Sequence, residues 1–538
     1  ASGMGMAPLA FYLRGAGVDV EAFDDHFREP LRSKMVAAGV EVLLEPVPVK
    51  NPDYIIRSSA ISPLDPRLSS FRVPASVIYK RGDFLAEYAK KYKTVAIVGS
   101  HGKTTTTGML SWALLQAGFP CSYLVGGRFK NDEMPIGRYE ESPWLVVEVD
   151  ESDGTIDGFC PDITVVLNYD WDHVDQYKEK ASLGQTLQCL LSRTKSSVVL
   201  PEDCDLQTWA KENLTLNMST FALGKSAADF SLSNWSAAKA CGLRMGVQIS
   251  DDSFKSFPGM ERRQSVLFEN EHRSIVEDYA HHPTEINAFL SRRRLLLPKH
   301  SLQVVFQPHR FTRTHALAKN FAEELSQADE LHLLPTYSAF EEFDPAGSVE
   351  SLVGYLPPRL RQRARIFSDF SHLCDILGPT PIAPEKDQVL FIGAGDLERW
   401  ADGFSAWEKA KGNKTDAFSF YLNNKLSNQT VLRENEPLAN KTTLRVGGSA
   451  RWYSEPSNSE DLRSLVEASN LFNISRAMIG RGSNVIVPDD GFGGLVIRRK
   501  GEFWKEMREF SDSLQDLPFS GVVLKHGDQR YQFQKEGK

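Results

Sequence analysis

Gly99-Ser-His101-Gly102-Lys103-Thr104-Thr105 puts glycines, a lysine and hydroxyls side by side. Backbone N–H groups in such a loop can face phosphate oxygens while the lysine neutralises their charge, and the Thr104 hydroxyl falls where it can hold Mg2+. The loop is shorter than the GxxxxGK[ST] pattern, so alone it would also suit a glycine-rich turn. A second set of candidates weighs against the turn. Glu148, Asp150, Glu151 and Asp153 crowd one short stretch, where a carboxylate could reach the same cation. Any one of these acids by itself would suit a solvated turn. His173, in Asn168-Tyr-Asp-Trp-Asp-His173-Val-Asp, is a further candidate ligand, although a lone histidine is more often structural.

These residues need elements to hold them. The run Thr94–Val98 predicts a buried strand, Gly99 to Lys103 a loop, and Thr104 to Ala117 a helix closed by Gly118. Two more strand candidates, Trp144–Val149 and Ile163–Leu167, end in polar clusters, as expected at the carboxyl edge of a parallel sheet. Upstream, Asp53–Arg57 reads as a strand before the turn Ser58-Ser59-Ala60, with helical sequence from Phe84 to Tyr92, together an α/β module. Downstream, the alternation from Ser274 through Val304–Phe306 to Val389–Ile392 predicts a separate doubly wound domain starting near Arg273. A polar segment rich in Asn and Lys follows Trp400 and reads as a linker to a new module from about Val431.

Composition narrows the function classes. At 538 residues the chain exceeds what one core supports, so several domains are expected. The net charge of −8 removes the broad basic surface of a nucleic-acid binder. The six cysteines lack CxxC spacing, which disfavours a zinc cluster or disulfide framework, and no apolar run reaches membrane-spanning length. A cytoplasmic protein without membrane insertion is expected.

The motifs GSHGKTTTT, EVDESDG, DHVDQY, the Arg262-Arg263 pair, EDYAHHPTEI, FQPHRFTRT and GAGD occur in the order found in the Mur ligases, which this chain resembles. Within that family DESDG is more similar to members that add L-alanine to UDP-N-acetylmuramate than to murein peptide ligases. The resemblance implies an α/β fold of three domains: a Rossmann-like UDP-sugar domain at 1–93, a P-loop ATPase domain at 94–273 and a Rossmann-like C-terminal domain at 274–402. It also implies ATP and Mg2+ as cofactors, and joining of a carboxylate to an amine through an acyl phosphate. On the matching positions, Gly99, His101, Gly102, Lys103, Thr104, Thr105, Asn234 and Arg263 would hold the nucleotide. Thr104, Glu148 and His173 would hold the metal. Arg310, Arg313 and His281 would position L-alanine and the transferring charge, with Asp278 anchoring their loop; read without the family, the two arginines could be a surface pair. Gly3, Ser58 and Ser59 would contact the UDP-sugar.

Two departures from the family bear on these expectations. The first strand and leading glycines of the N-terminal domain are missing, so part of the UDP pocket is expected to be absent. Between Gly224 and Gly242 the chain runs almost straight through where the family carries an H-N-x-x-N element, leaving Asn234 as its survivor and implying either weakened nucleotide affinity or a missing segment.

From Pro437 the sequence PLANKTTLRVGGSARWYSEPSNSEDL, then IGRGSNVIVPDDGFGGLVIR, resembles the start of the UDP-N-acetylenolpyruvoylglucosamine reductases. That likeness implies a partial α+β FAD-binding module at 431–538 behind a linker at 403–430. Gly480, Gly482, Ser483 and Asn484 match its FAD pyrophosphate loop, although GRGSN alone would more often be a turn. The likeness fades after Arg499, and no reductase activity is expected from this chain. The rival readings are a second, FAD- and NADPH-dependent reductase activity in an intact fusion, a murein tripeptide ligase, and an inactive nucleotide-binding remnant.

Overall fold

A computed structural model describes residues 3–24, 27, 31–43, 52–70, 73–151, 154–172, 177, 179–224, 226–339, 341–378, 386–483 and 485–498, with the backbone of 522–526 and 529–533. The chain divides into two compact units, one of 1–266, 276–366 and 386–397, the other of 267–275, 367–385 and 398–538.

The first unit is organised around strand Lys93–Val98. Successive side chains of a strand face opposite sides; here Val95 and Ile97 enter one core while Ala96 and Val98 enter another. A strand covered on both faces has to be apolar throughout, which explains the uninterrupted Val-Ala-Ile-Val run. It lies in the middle of a seven-stranded sheet in the order Asn217–Phe221, Ser197–Pro201, Ile163–Val166, Lys93–Val98, Trp144–Glu148, Ser122–Leu124, Gly137–Arg138. All these pairings are parallel except the last. Helices Lys103–Gln116 and Phe230–Arg244 cover one face. Arg81–Ala89, Lys180–Arg193 and Asp205–Asn213 cover the other. Because Lys93–Val98 is flanked by Ile163–Val166 and Trp144–Glu148, the loops that follow these three strands open side by side at one edge.

A second sheet in this unit runs Asp387–Ile392, Ser301–Phe306, Glu330–Leu333, Arg365–Ile366, all parallel. Its core takes Ile286, Phe289 and Leu290 from helix Pro283–Leu296 and Phe321, Ala322 and Leu325 from helix Ala318–Leu325. Near the N-terminus, Ile55–Arg57 pairs in parallel with Ile78–Lys80 and Glu21–Phe23 with Glu41–Leu43.

In the second unit, 403–430 differs from the linker its composition suggested. Helix Leu397–Lys409 runs into it, and helix Lys414–Asn423 follows. Phe418, Tyr421 and Leu422 are buried, and the Phe418 ring stands 4.7 Å from Trp452. The apolar residues at i, i+3 and i+4 make a stripe that packs together with Ser419, while Asp416, Phe420 and Asn423 are exposed. Strands Leu432–Pro437, Ser449–Ser454, Phe492–Arg498 and Arg476–Ile479 form a four-stranded sheet in that order. Among the described residues no helix is long and apolar enough to cross a membrane.

Candidate active site

Helix Lys103–Gln116 begins directly after Gly102, whose φ of +83° lies in the left-handed region. A Cβ at Gly102 would also stand 2.6 Å from Asn234 Oδ1, so both the backbone and the approach of helix Phe230–Arg244 demand glycine. Lys103 Nζ donates to Gly99 O at 2.7 Å and to both Glu151 oxygens at 2.9 and 3.0 Å. Burial works against the lysine's charge, but Glu151 and Asp150 outweigh it and hold the group above its ordinary value. Thr104 Oγ1 donates to Glu148 Oε1 at 3.0 Å, and Gly126 N–H donates to Oε2 at 3.0 Å. Burial pushes the Glu148 carboxyl up, which leaves a carboxylate short of positive charge next to a hydroxyl. Such a hard oxygen pair suits Mg2+, and the helix N-terminus with Lys103 suits a polyphosphate. The residues present therefore fit both groups.

Asn168, after strand Ile163–Val166, ties down the loop: its side chain accepts the His101 N–H and donates to His101 O, both at 2.9 Å. Ser100 Oγ donates to Asp170 O at 2.8 Å. His101 itself lies between carboxylates, with Nε2 3.2 Å from Asp170 and Nδ1 3.6 Å from Glu285. Burial alone would lower its pKa, but Asp170 and Glu285 raise it to about 9.

The facing side is built from the second sheet's strand ends. Asp278 closes strand Arg273–Asp278, accepts N–H groups of Ala280 and Gln264 at 2.8 and 2.9 Å, and is pushed by burial to about 6. His282 caps helix Pro283–Leu296, its Nδ1 accepting the Thr284 N–H, and Pro283 occupies the first turn, where a missing N–H costs nothing. Glu285, in that same turn, accepts the His281 N–H at 3.0 Å and lies 3.4 Å from Arg263 Nη1. Burial opposes its charge, yet the cations His101 and Arg263 beside it hold it well below the usual carboxylate range. Arg313 Nε donates to Asp172 at 2.9 Å, both side chains being buried. Burial lowers His281 to about 4, so it is neutral at pH 7. Arg310 adopts a φ of +72° and its Nε lies 3.8 Å from Glu341.

Of the residues singled out from sequence, contacts among Gly99, His101, Lys103, Thr104, Glu148, Arg263, Asp278 and His281 and their neighbours converge here, with Gly102 and Asn234 in contact at the helix start. Thr105 is half-buried in that first turn. The remaining candidates lie in other settings. Gly3 O accepts the N–H groups of Met6 and Ala7, and Ser58 bonds within the 58–61 turn beside exposed Ser59. In the second unit Gly482, at φ +72°, leaves no room for a Cβ against Lys441 O, so packing alone demands that glycine; Gly480 and Ser483 flank it. His173, Asp153 and Asn484 fall outside the described residues. Sequence reasoning passed over Asp170, Asp172 and Glu285 as individual residues. The polar cluster after Ile163–Val166 contained the first two, and Glu285 follows His281 by four positions.

Residues 97–255 match the Mur ligase middle domain, and residues 261–395 the Mur ligase glutamate ligase domain. The chain is 30% identical over 448 residues to a UDP-N-acetylmuramate–L-alanine ligase of Endomicrobium trichonymphae, covering 74% of this chain and 95% of the relative. It is 29% identical over 446 residues to the enzyme of that name from Cytophaga hutchinsonii, covering 74% and 93%. Among solved structures, a UDP-N-acetylmuramate–alanine ligase from Thermotoga maritima superposes with a TM-score of 0.61 at 22% identity, covering 76% of this chain and 97% of that one. A murein peptide ligase from Psychrobacter arcticus gives 0.54 at 16%, covering 77% and 97%. At these identities the two structures speak to the fold alone.

Proposed function

Because the chain belongs to the Mur ligase family, we propose that it joins L-alanine to UDP-N-acetylmuramate, cleaving ATP to ADP and phosphate, in cytoplasmic peptidoglycan synthesis. The observation that carries this reading is the meeting of a phosphate loop with a buried histidine and arginine set within one unit. Gly99, His101, Gly102, Lys103, Thr104 and Thr105 hold ATP, with Asn234 and Arg263 beside them. Thr104, Glu148 and His173 hold Mg2+, which supplies charge screening so that two anions can approach. The sugar carboxylate attacks the γ-phosphorus, ADP leaves, and the alanine nitrogen displaces phosphate from the acyl phosphate. Lys103 neutralises the β- and γ-oxygens.

Arg310, Arg313 and His281 position L-alanine. Asp172 grips Arg313 through Nε and so sets where its terminal N–H groups point. His281, neutral at pH 7, adds no competing charge for the amino acid's carboxylate. Asp278 fixes the 278–282 turn through its two backbone hydrogen bonds. Gly3, Ser58 and Ser59 serve the UDP-sugar. The division 1–93, 94–273 and 274–402 accompanies this reading; the apolar cluster of Val276 to Ile392 beneath the second sheet supports the third of these domains. FAD at Gly480, Gly482, Ser483 and Asn484 of the 431–538 module rests on the sequence likeness there, and flavin fluorescence quenching on titration tests it.

The ligase reading is tested by ADP release with ATP, Mg2+ and UDP-N-acetylmuramate against L-alanine, D-glutamate and the murein tripeptide. Release with L-alanine that disappears in Lys103→Ala supports it. Release with the tripeptide alone transfers the chain to the murein peptide ligases, and no release with any of the three rejects turnover.

A further inference from the structure

Apart from the Thr104 and Glu148 pair, His101, Asp170 and His282 bring three potential ligand atoms within 4.8 Å of one another. They arrive from three segments: the phosphate loop, the loop after strand Ile163–Val166, and the cap of helix Pro283–Leu296. Two imidazoles and one carboxylate make a donor set different in kind from a hydroxyl and a carboxylate. Nitrogen donors of this type favour first-row transition ions over Mg2+.

We propose that His101, Asp170 and His282 form a binding site for a divalent transition ion such as Zn2+, separate from the Mg2+ position at Thr104 and Glu148. His101 Nε2 is a buried atom that makes no hydrogen bond, although Asp170 Oδ2 is only 3.2 Å away. The two groups are in contact without the alignment of a hydrogen bond, and an ion between them would take the place of the proton that Asp170 and Glu285 favour on His101. The other His101 nitrogen faces Glu285 Oε1 at 3.6 Å, where an outer carboxylate orients a ligating imidazole and increases its basicity. His282 Nε2 donates to Trp171 O at 3.2 Å and so orients the ring, while Nδ1 accepts the Thr284 N–H at 3.3 Å, a long bond that an ion ligated by Nδ1 would displace. The two imidazole rings are 4.6 Å apart. Zinc takes nitrogen and oxygen ligands at about 2.0–2.2 Å in a tetrahedron. Atoms within 4.8 Å of one another would reach one ion by side-chain rotation, with the fourth position left to water or a phosphate oxygen. A bound ion would tie the phosphate loop to the N-terminus of helix Pro283–Leu296.

Full-length protein stripped with chelator and titrated with Zn2+ by calorimetry, in large excess of Mg2+ and without nucleotide, tests the site independently of the ligase reading. One tight equivalent is expected, weakened at least tenfold in Asp170→Asn, weakened less in Glu285→Gln, and unchanged in Thr104→Val. Equal affinity in wild type and Asp170→Asn, or no binding that survives Mg2+, overturns the proposal. Where a variant fails to fold by circular dichroism, the wild-type protein decides: crystals soaked in Zn2+ and measured at the zinc edge should show an anomalous peak enclosed by the three side chains. A peak only elsewhere, or none, overturns it as well.

Discussion

Lys103 and Glu148 are both half-buried groups whose charge is managed by a residue from a neighbouring strand end or loop, and Gly102 is what lets the loop bring Lys103 there. An alanine at Gly102 would hold a left-handed conformation costing about 1–2 kcal/mol and would press its Cβ against Asn234. Gly102→Ala is therefore expected to raise the KM for ATP at least tenfold while lowering Tm by only a few degrees, as steady-state kinetics and a melting curve will show. Away from the site, His332 is buried in strand Glu330–Leu333 with Nε2 3.0 Å from Gln303 Oε1. Burial first, and the Arg365 charge second, lower it to about 4. On acidification the unfolded chain takes up this proton first, so the contribution is intact above pH 6.5 and is lost as pH falls from 6.5 toward 4. Tm measured across that window should fall more steeply in wild type than in His332→Gln; parallel slopes would refute the assignment. At this scale the sequence pointed to Lys103 and Thr104 through one local loop and to Glu148 through a separate acidic cluster at a strand end. It could not disclose that Asp172 holds Arg313, since the partners are 141 positions apart.

Helices decide how the strand ends are aimed. His282 and Pro283 together start helix Pro283–Leu296, and that start places Glu285 against both His281 and Arg263. The helices of 397–423 show the same logic in the second unit. Asn413 caps Lys414–Asn423 by accepting the N–H groups of Thr415 and Asp416. Phe418 then packs on Trp452 and Phe472, and Trp452 Nε1 donates to Ser419 Oγ at 2.9 Å. Phe418→Ala should cost about 3–5 kcal/mol by chemical denaturation of the second unit; a loss under 1 kcal/mol would mean the segment is the linker its composition suggested. Asp416, Asn423 and Asn424, among the polar residues that suggested a linker, are exposed, and the apolar stripe beside them was short enough to miss. Buried strands such as Lys93–Val98 were easier to read because two covered faces leave no polar position.

The whole molecule has two compact units, and the residues of the candidate nucleotide site lie in the first. Calorimetric melting should therefore show two transitions. ATP with Mg2+ should raise one of them, by about 2.7 kcal/mol of added stability at a hundredfold excess over Kd, and leave the other in place. A single transition shifted as a block would contradict independent units. Unit boundaries were poorly legible: the segments 267–275, 367–385 and 398–538 are distant in sequence, yet Arg273 pairs with Glu408 at 2.5 Å, both buried, and donates to Leu377 O.

By itself the sequence determined the family, from motifs in a fixed order along the chain, and the Gly99–Lys103 loop with its strand and helix, because strand, loop and helix follow one another directly. Tertiary structure alone decided which acid takes which partner: Glu151 on Lys103, Glu148 on Thr104, Asp172 on Arg313, and Glu285 between His101 and Arg263. The physical reason is that burial makes each charge costly until a partner arrives from a distant segment, and only the order of strands in the sheets brings those segments together.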